Sequence, residues 1–314
     1  MSEIPAISVL MSVKNGLPHL ERALASVLTQ TFADFEFVIV DNASTDDTRE
    51  CLEHAARNDK RVVVLHNDRD LGHSGGLNRG LDACRGEWIA RMDADDVALP
   101  NRLERQLAFV RQNPDLRAAS CIAWYVDENG RRVGRTVFDL VTREEFRHFR
   151  EHNLPIGLLH PGAFIRRDLM VSLGGYRSQF DPANDTDLWC RISDNHLILT
   201  QPELLMEYRI HNSSISGSNY EHGRLKTLWA RDCMIARRAE HPEPSWEWFL
   251  ANRQAAPWWL RLNRRRKMLA KRLYRESAQH YLSAHHMRSL ADIFLAVLLQ
   301  PEYALPRLKV QIFG

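Results

Sequence analysis

Paired cysteines are the first thing this chain lacks. Its five cysteines, Cys51, Cys84, Cys121, Cys190 and Cys233, are odd in number and widely spaced, and no CxxC occurs. That pattern excludes a disulfide framework and a cysteine zinc site, and reduced thiols in a cytoplasmic protein are expected. Long apolar runs are missing too. IFLAVLL, at 293–299, falls far short of the ~20 residues that span a bilayer. The opening MSEIPAISVL has no basic stretch followed by a long apolar one, so no secretory signal is expected. Internal repeats and low-complexity segments are also absent. What is there is ordinary globular composition, 44% hydrophobic and 26% charged over 314 residues. The length suits one large domain with an appendage, or two domains.

The net charge of +2 hides a division. Residues 221–314 hold 17 Lys+Arg against 8 Asp+Glu, or +9, while the other 25 basic and 32 acidic residues give 1–220 a charge of −7. An acidic body and a basic tail point to two parts with different tasks.

The first hundred residues alternate strand and helix signals. ISVLMSV (7–13), FEFVIV (35–40), RVVVLHN (61–67) and EWIARM (87–92) read as buried strands. Between them, Leu17, Leu20, Leu24, Val27 and Leu28 share a helical face. STDDT supplies a capping residue and early acids for a second helix, and GGLNRGLDACRG reads as a third, opened by a glycine-rich turn and closed by Gly86. PNRLERQLAFVRQNPD then places Leu103, Leu107 and Val110 on one face, with Pro114 as the stop. Such alternation predicts an α/β fold, a mostly parallel sheet with helices on both faces and ligands bound beyond the carboxyl ends of the strands. Lys14 and Asn15, Asp41, and Asp93 to Asp96 all follow strands, so polar groups converge on one rim. Past residue 115 the chain reads as a strand pair turning at Asp127–Gly130, a helix stopped by Gly-Gly, an acid-led helix at NDTDLWCRI and a strand at PELLMEYRIH. From about 221 it is helical, basic and rich in tryptophan.

The run DADD (93–96) puts three carboxylates within four residues. Repelling carboxylates at a strand end are stabilised by a shared hard cation, and Mg²⁺ or Mn²⁺ on one or two carboxylates plus substrate phosphate is the natural occupant. A solvated acidic loop is the alternative for DADD alone.

Context decides between them. The blocks ISVLMSVKNGLPHLERALASVLTQTFADFEFVIVDNASTDDT, LGHSGGLNRGLDACRGEWIARMDADDV, HPGAFIRRDLMVSLGGY, NDTDLWCRI and YRIHNSSIS resemble, in order and over about 7–216, the inverting family 2 of GT-A glycosyltransferases. The resemblance implies a GT-A fold, a nucleotide-sugar-binding half at 1–115, an acceptor half at 116–220 and a helical extension at 221–314. It also implies roles. Asp41 contacts the uracil or ribose of the donor, with Asn42 where the family often has a second Asp. Ser12, Lys14 and Asn15 replace a Pro-x-Tyr-Asn loop, so base stacking at 14 gives way to a lysine that reaches phosphate. Asn78 and Arg79 sit in an NRG block beside the nucleobase or pyrophosphate. Asp95 binds the metal directly, Asp93 faces ribose or sugar and assists, and Asp96 joins the metal shell or, by preference, caps the next helix. His211 closes over the diphosphate and ligates the metal. Asp185 is the base that takes the acceptor's proton, with Asn184 for the usual Glu and Asp187 as a helix-start or orienting group. Trp189 lines the acceptor pocket or the core, and His160 approaches donor sugar or acceptor. The pair His148 and His152 has metal-ligand spacing but no third ligand, and reads as a solvated helix face.

The expected activity is metal-dependent inverting transfer, with Mn²⁺ or Mg²⁺, from a nucleotide sugar, a UDP-sugar first, to a glycan or lipid-linked glycan in bacterial surface polysaccharide synthesis. A sugar nucleotidyltransferase would carry a GxGTRL-type loop that SVKNGLPHL lacks, and a non-catalytic glycan-binding scaffold is argued against by the presence of Asp93, Asp95 and Asp185. The tail at 221–314 suits either packing on the catalytic domain or peripheral contact at the inner membrane; nucleic acid is not an expected partner.

Overall fold

The computed structural model describes residues 4–136, 140–210, 220–282, 286–305 and 308. Residues Met1–Glu243 form one compact unit and Pro244–Gly314 a second. The first is built on a nine-stranded sheet of order β3-β2-β1-β4-β8-β6-β9-β5, with β7 on β6. The strands are β1 (Ile7–Val13), β2 (Phe35–Asp41), β3 (Val62–His66), β4 (Trp88–Arg91), β5 (Val97–Ala98), β6 (Leu116–Val126), β7 (Arg132–Arg135), β8 (Phe164–Arg166) and β9 (Leu197–Arg209). β1, β2, β3, β4, β6 and β9 run the same way, and β8 lies antiparallel between β4 and β6. The parallel block follows from the sequence: its strands are near-continuous apolar runs joined by helical crossovers.

Helices cover both faces. On one, α1 (Leu20–Leu28), α2 (Thr48–Asn58) and α4 (Arg102–Gln112) pack against Val9, Met11, Phe37 and Ile39. On the other, α3 (Gly72–Ala83), α5 (Arg143–Glu151), α6 (Arg167–Ser172) and α7 (Asn184–Ser193) pack with Leu10 and Val38. Successive strand residues alternate between these two cores, as a pleated strand requires. The helical faces are those read from the sequence, except that Leu17 precedes α1 and is exposed. Helix α8 (Tyr220–Arg238), which the charge count groups with the tail, belongs to the first unit, where Trp229 stacks on Phe180 at 4.0 Å.

Two glycines set how closely the elements approach. The expected glycine-rich turn before the third helix is instead part of it: α3 starts at Gly72, and Gly76 lies against β1, where a Cβ would fall 2.2 Å from Ser12 Oγ. A Cβ on Gly86 would meet backbone, Ser8 N at 2.4 Å and Ile7 C at 2.6 Å. Because backbone cannot swing aside, Gly86→Ala is expected to cost about 1–3 kcal/mol, read as a lowered thermal midpoint; an unchanged midpoint would show that β1 shifts freely.

Candidate active site

The carboxyl ends of the parallel strands open into a cavity of about 980 Å³. β1 and the turn after it contribute Ser12, Lys14 and Asn15; the chain after β4 contributes Asp93 and Asp95; the second half contributes His160, Asp185 and Arg209. Part of the site expected from strand ends and motifs, namely Ser12, Lys14, Asn15, Asp93, Asp95, His160 and Asp185, is therefore brought together on one cavity.

Asp93, Asp95 and Asp96 place carboxylate oxygens within 4.8 Å of one another. Asp96 is 1% exposed, accepts the Arg209 backbone N–H at 2.9 Å, and has its Oδ2 buried without a hydrogen-bond partner. Burial, then the charges of Asp95 and Asp93, push its carboxyl well above the ordinary range. A divalent cation would answer both the crowding and the orphaned oxygen, and the all-oxygen donor set suits Mg²⁺ or Mn²⁺. The preferred reading of Asp96 as a helix cap is thereby corrected: α4 starts only at Arg102, after Asn101, and Asp96 turns inward because β9 arrives with a backbone donor.

The loop holding these acids is braced from two sides. Arg209 donates through Nε to the Asp95 carbonyl at 3.0 Å and through Nη1 to the carbonyls of Asp127 at 2.8 Å and Glu128 at 3.0 Å. Arg91, 1% exposed, forms an ion pair with Asp93 and has its Nε buried without a partner. Burial works against its charge, but the Asp93 carboxylate, with smaller contributions from Tyr176 and Asp96, holds the guanidinium above its usual value. Next to it, His73 Nε2 lies 3.4 Å from Arg91 Nη2, and His160 Nε2 lies 2.9 Å from the Tyr176 hydroxyl. Burial first, then the Arg91 charge, lowers the pKa of both histidines, His160 well below its usual value, which favours the neutral ring in each. The polar wall is completed from behind by buried Arg102, which donates to the Arg91 carbonyl at 2.7 Å and the Pro161 carbonyl at 2.8 Å.

Asp185 stands in the first turn of α7. Its Oδ1 accepts the Thr186 N–H at 2.6 Å, and among the described residues no hydrogen bond reaches Oδ2. Burial raises its pKa, against the lowering effect of the Thr186 N–H and of Arg91. Asn184 donates to Ser74 Oγ at 2.8 Å and so ties this turn to the start of α3. Asp187 points away from the cavity into ion pairs with Arg177 and Arg191.

The remaining candidates divide. Lys14 pairs with Asp70 at 2.8 Å on the cavity wall, and Asn15 takes a positive φ of 53° while accepting the Thr45 N–H at 2.8 Å. Asp41, fully buried, is outside the cavity lining: it accepts the Ser44 N–H at 2.9 Å and sits 3.1 Å from His66 Nδ1 and 3.3 Å from Arg49 Nε. Asn78 and Arg79 are also outside the lining. Asn78 brackets the Tyr176 backbone, donating to its carbonyl and accepting its N–H, both at 2.8 Å, and Arg79 donates to Asn67. Trp189 is fully buried in the second core. His148 and His152 are exposed, with ring centroids 4.1 Å apart and the planes tilted by 37°, and no cluster of three ligands includes them among the described residues. His211 lies outside the described residues.

Sequence reasoning missed Arg91, His73, Tyr208 and Arg209 as cavity residues. The signal for Arg91 was there: an arginine inside an apolar strand, two residues before the first acid of DADD, needs a buried partner.

The sequence model of glycosyl transferase family 2 matches residues 8–173. An uncharacterized glycosyltransferase of Methanocaldococcus jannaschii is 30% identical over 236 residues, 72% of this chain and 80% of that protein. The O-antigen biosynthesis glycosyltransferase WbnJ of Escherichia coli is 32% identical over 221 residues, 68% of this chain and 82% of that one. Among solved structures, S. aureus TarS 1-349 in complex with UDP-GlcNAc has a TM-score of 0.59 at 18% identity, covering 94% of this chain and 92% of that one. The mannosyltransferase PcManGT from Pyrobaculum calidifontis in complex with GDP-Man and Mn2+ has a TM-score of 0.58 at 19% identity, covering 95% and 87%. The fold is GT-A, and with the family's pattern spanning more than half its length the chain belongs to glycosyl transferase family 2.

Proposed function

We propose that the chain transfers a sugar, with inversion, from a nucleoside diphosphate sugar to a hydroxyl of a glycan or lipid-linked glycan in surface polysaccharide synthesis. The observation that carries this is one cavity whose walls hold both Asp93 and Asp95, with Asp96 within 4.8 Å of them, and the separate carboxylate of Asp185. A UDP-sugar is the donor we favour; among the relatives' structures, TarS is seen with UDP-GlcNAc and PcManGT with GDP-Man. WbnJ acts in O-antigen biosynthesis and the Erwinia amylovora relative AmsE in amylovoran biosynthesis, which supports a polysaccharide acceptor.

Asp95, Asp93 and Asp96 would hold the divalent cation, whose charge stabilises the diphosphate as it departs. Lys14, at the end of β1, offers a further positive charge to phosphate. Asp185, supplied by the other half of the domain, accepts the proton of the acceptor hydroxyl while that oxygen bonds to the anomeric carbon. The bond from that carbon to the diphosphate oxygen breaks on the opposite face, which inverts the configuration. Thr186 fixes one oxygen of Asp185 and leaves the other for the proton.

Calorimetry with UDP, GDP and dTDP, each with Mn²⁺ and with EDTA, tests this on the wild type and on Asp95→Asn. One nucleotide is expected to bind with the metal and to weaken at least about ten-fold, roughly 1.4 kcal/mol, in EDTA or in the variant. Binding of none of the three would remove the donor reading. Equal binding with and without metal would remove the role of Asp95.

A further inference from the structure

The second unit exposes what a water-facing surface avoids. Of the seventeen large apolar side chains exposed on the described residues, twelve lie in this unit, less than a quarter of the chain. Their arrangement is regular. Helix α9 (Trp246–Ala255) is followed by α10 (Trp258–Leu282) and α11 (His286–Leu299), and α10 and α11 pack together. One side of α11 faces α10: Ser289 Oγ donates to the Ser277 carbonyl at 2.8 Å, Asp292 lies 2.7 Å from His280 Nδ1, and Ala296 is buried. The opposite side carries Met287, Leu290, Phe294 and Leu298, exposed by 81, 62, 68 and 68%. These follow the 3.6-residue period, so they form a single apolar ridge. On α10, Trp258, Leu262 and Leu269 are exposed at helical spacing with Arg261 and Arg265 between them.

Charge identifies what covers this ridge. Residues 244–314 hold 12 Lys+Arg and 4 Asp+Glu, a net +8. A second copy of the same surface would bring the same positive charge and repel. An anionic lipid surface attracts it, accepts the tryptophan rings at headgroup level and takes up an apolar ridge in its outer acyl region. At 14 residues α11 rises about 21 Å, short of the ~30 Å hydrocarbon core, so it suits lying in the interface rather than crossing it. No helix among the described residues is long and apolar enough to cross a membrane.

We propose that the outer ridge of α11, in a unit of net positive charge that also exposes tryptophans and arginines on α10, docks the enzyme on an anionic phospholipid bilayer. The inference rests on the second unit alone and goes beyond the donor site, so each can fail without the other.

Flotation of the full chain with phosphatidylcholine vesicles, and with equimolar phosphatidylcholine–phosphatidylglycerol vesicles, is the test. The protein is expected to float with the anionic vesicles and to release as ionic strength rises from about 0.1 M to about 1 M, where the Debye length falls from about 10 to about 3 Å. The double substitution Leu290→Glu/Phe294→Glu is expected to lower partitioning at least about ten-fold. Arg261→Gln/Arg265→Gln should weaken it without touching the ridge, which keeps the test decisive if the first variant misfolds by circular dichroism. A wild type that does not float with anionic vesicles overturns the proposal. So does a folded ridge variant that floats as the wild type does, or a wild-type dimer that the ridge substitutions turn into a monomer, since a second copy would then be the occupant.

Discussion

Asp185→Asn is expected to lower kcat by about 10²–10⁴, the contribution of a positioned general base, while leaving nucleotide binding and thermal midpoint unchanged. The reason is local. The carboxylate sits in the first turn of α7 with one oxygen held by Thr186 and, among the described residues, takes part in no ion pair of the scaffold. Asparagine keeps the volume and an acceptor for the Thr186 N–H but cannot take a proton. Burial raises the pKa of this carboxyl. A base acts only when ionised, so kcat/KM should fall as pH drops through that raised value, with a midpoint above the ordinary aspartate range. The limb should be missing from the residual activity of Asp185→Asn. Release of nucleoside diphosphate across a pH series measures both. A variant within about ten-fold of wild type would place the base elsewhere, because ten-fold lies below what such a proton transfer contributes.

The parallel half of the sheet was legible because its signal is local. Apolar runs at β1, β2, β3 and β4, separated by segments of helical period, admit few arrangements besides a covered parallel sheet. The ends of those strands then located Lys14, Asn15, Asp93 and Asp95 on one cavity, whereas Asp41, read the same way at the end of β2, lies outside its lining. The resemblance, rather than the pattern, supplied Asp185: two early acids on a helix serve the helix dipole equally well.

What escaped the sequence depends on contacts between distant segments. Arg102 looks like any surface arginine opening a helix, yet it is 1% exposed and bonded to carbonyls 11 and 59 residues away. Asp96 reads as a cap because a helix follows, and its actual partner comes from Arg209, 113 residues on. Asn78 and Arg79 lie in a block that suggests ligand contact, but the Tyr176 backbone and Asn67 occupy them. Periodicity assigns a residue to a face; it does not say which other segment arrives at that face.

Asp187→Ala is the second large effect, and it should fall on stability. Two residues from the base on the same helix, Asp187 is 0% exposed and lies between two guanidiniums: it accepts from Arg177 Nε at 3.0 Å and from Arg191 Nε at 2.9 Å. Arg177 also reaches Glu243 at 2.8 Å, Glu243 pairs with Arg237 at 2.6 Å, and Arg237 pairs with Asp194 at 2.7 Å. The network thus ties α7 to the end of α8 and to the last residue of the first unit. Removing the acid leaves Arg191 buried with carbonyl partners only, Leu173 and Gly175, and no neutralising charge on it. Breaking a buried pair this way costs about 3–5 kcal/mol. For a chain of this size that is a fall of about 10 °C in thermal midpoint, compared at one scan rate. Asp187→Asn, which keeps the volume and one acceptor but drops the charge, should fall between the two. An Asp187→Ala protein that melts with the wild type would mean the arginines find solvent or Glu243 instead. One with a normal midpoint and lost turnover would move Asp187 from the scaffold into the chemistry beside Asp185.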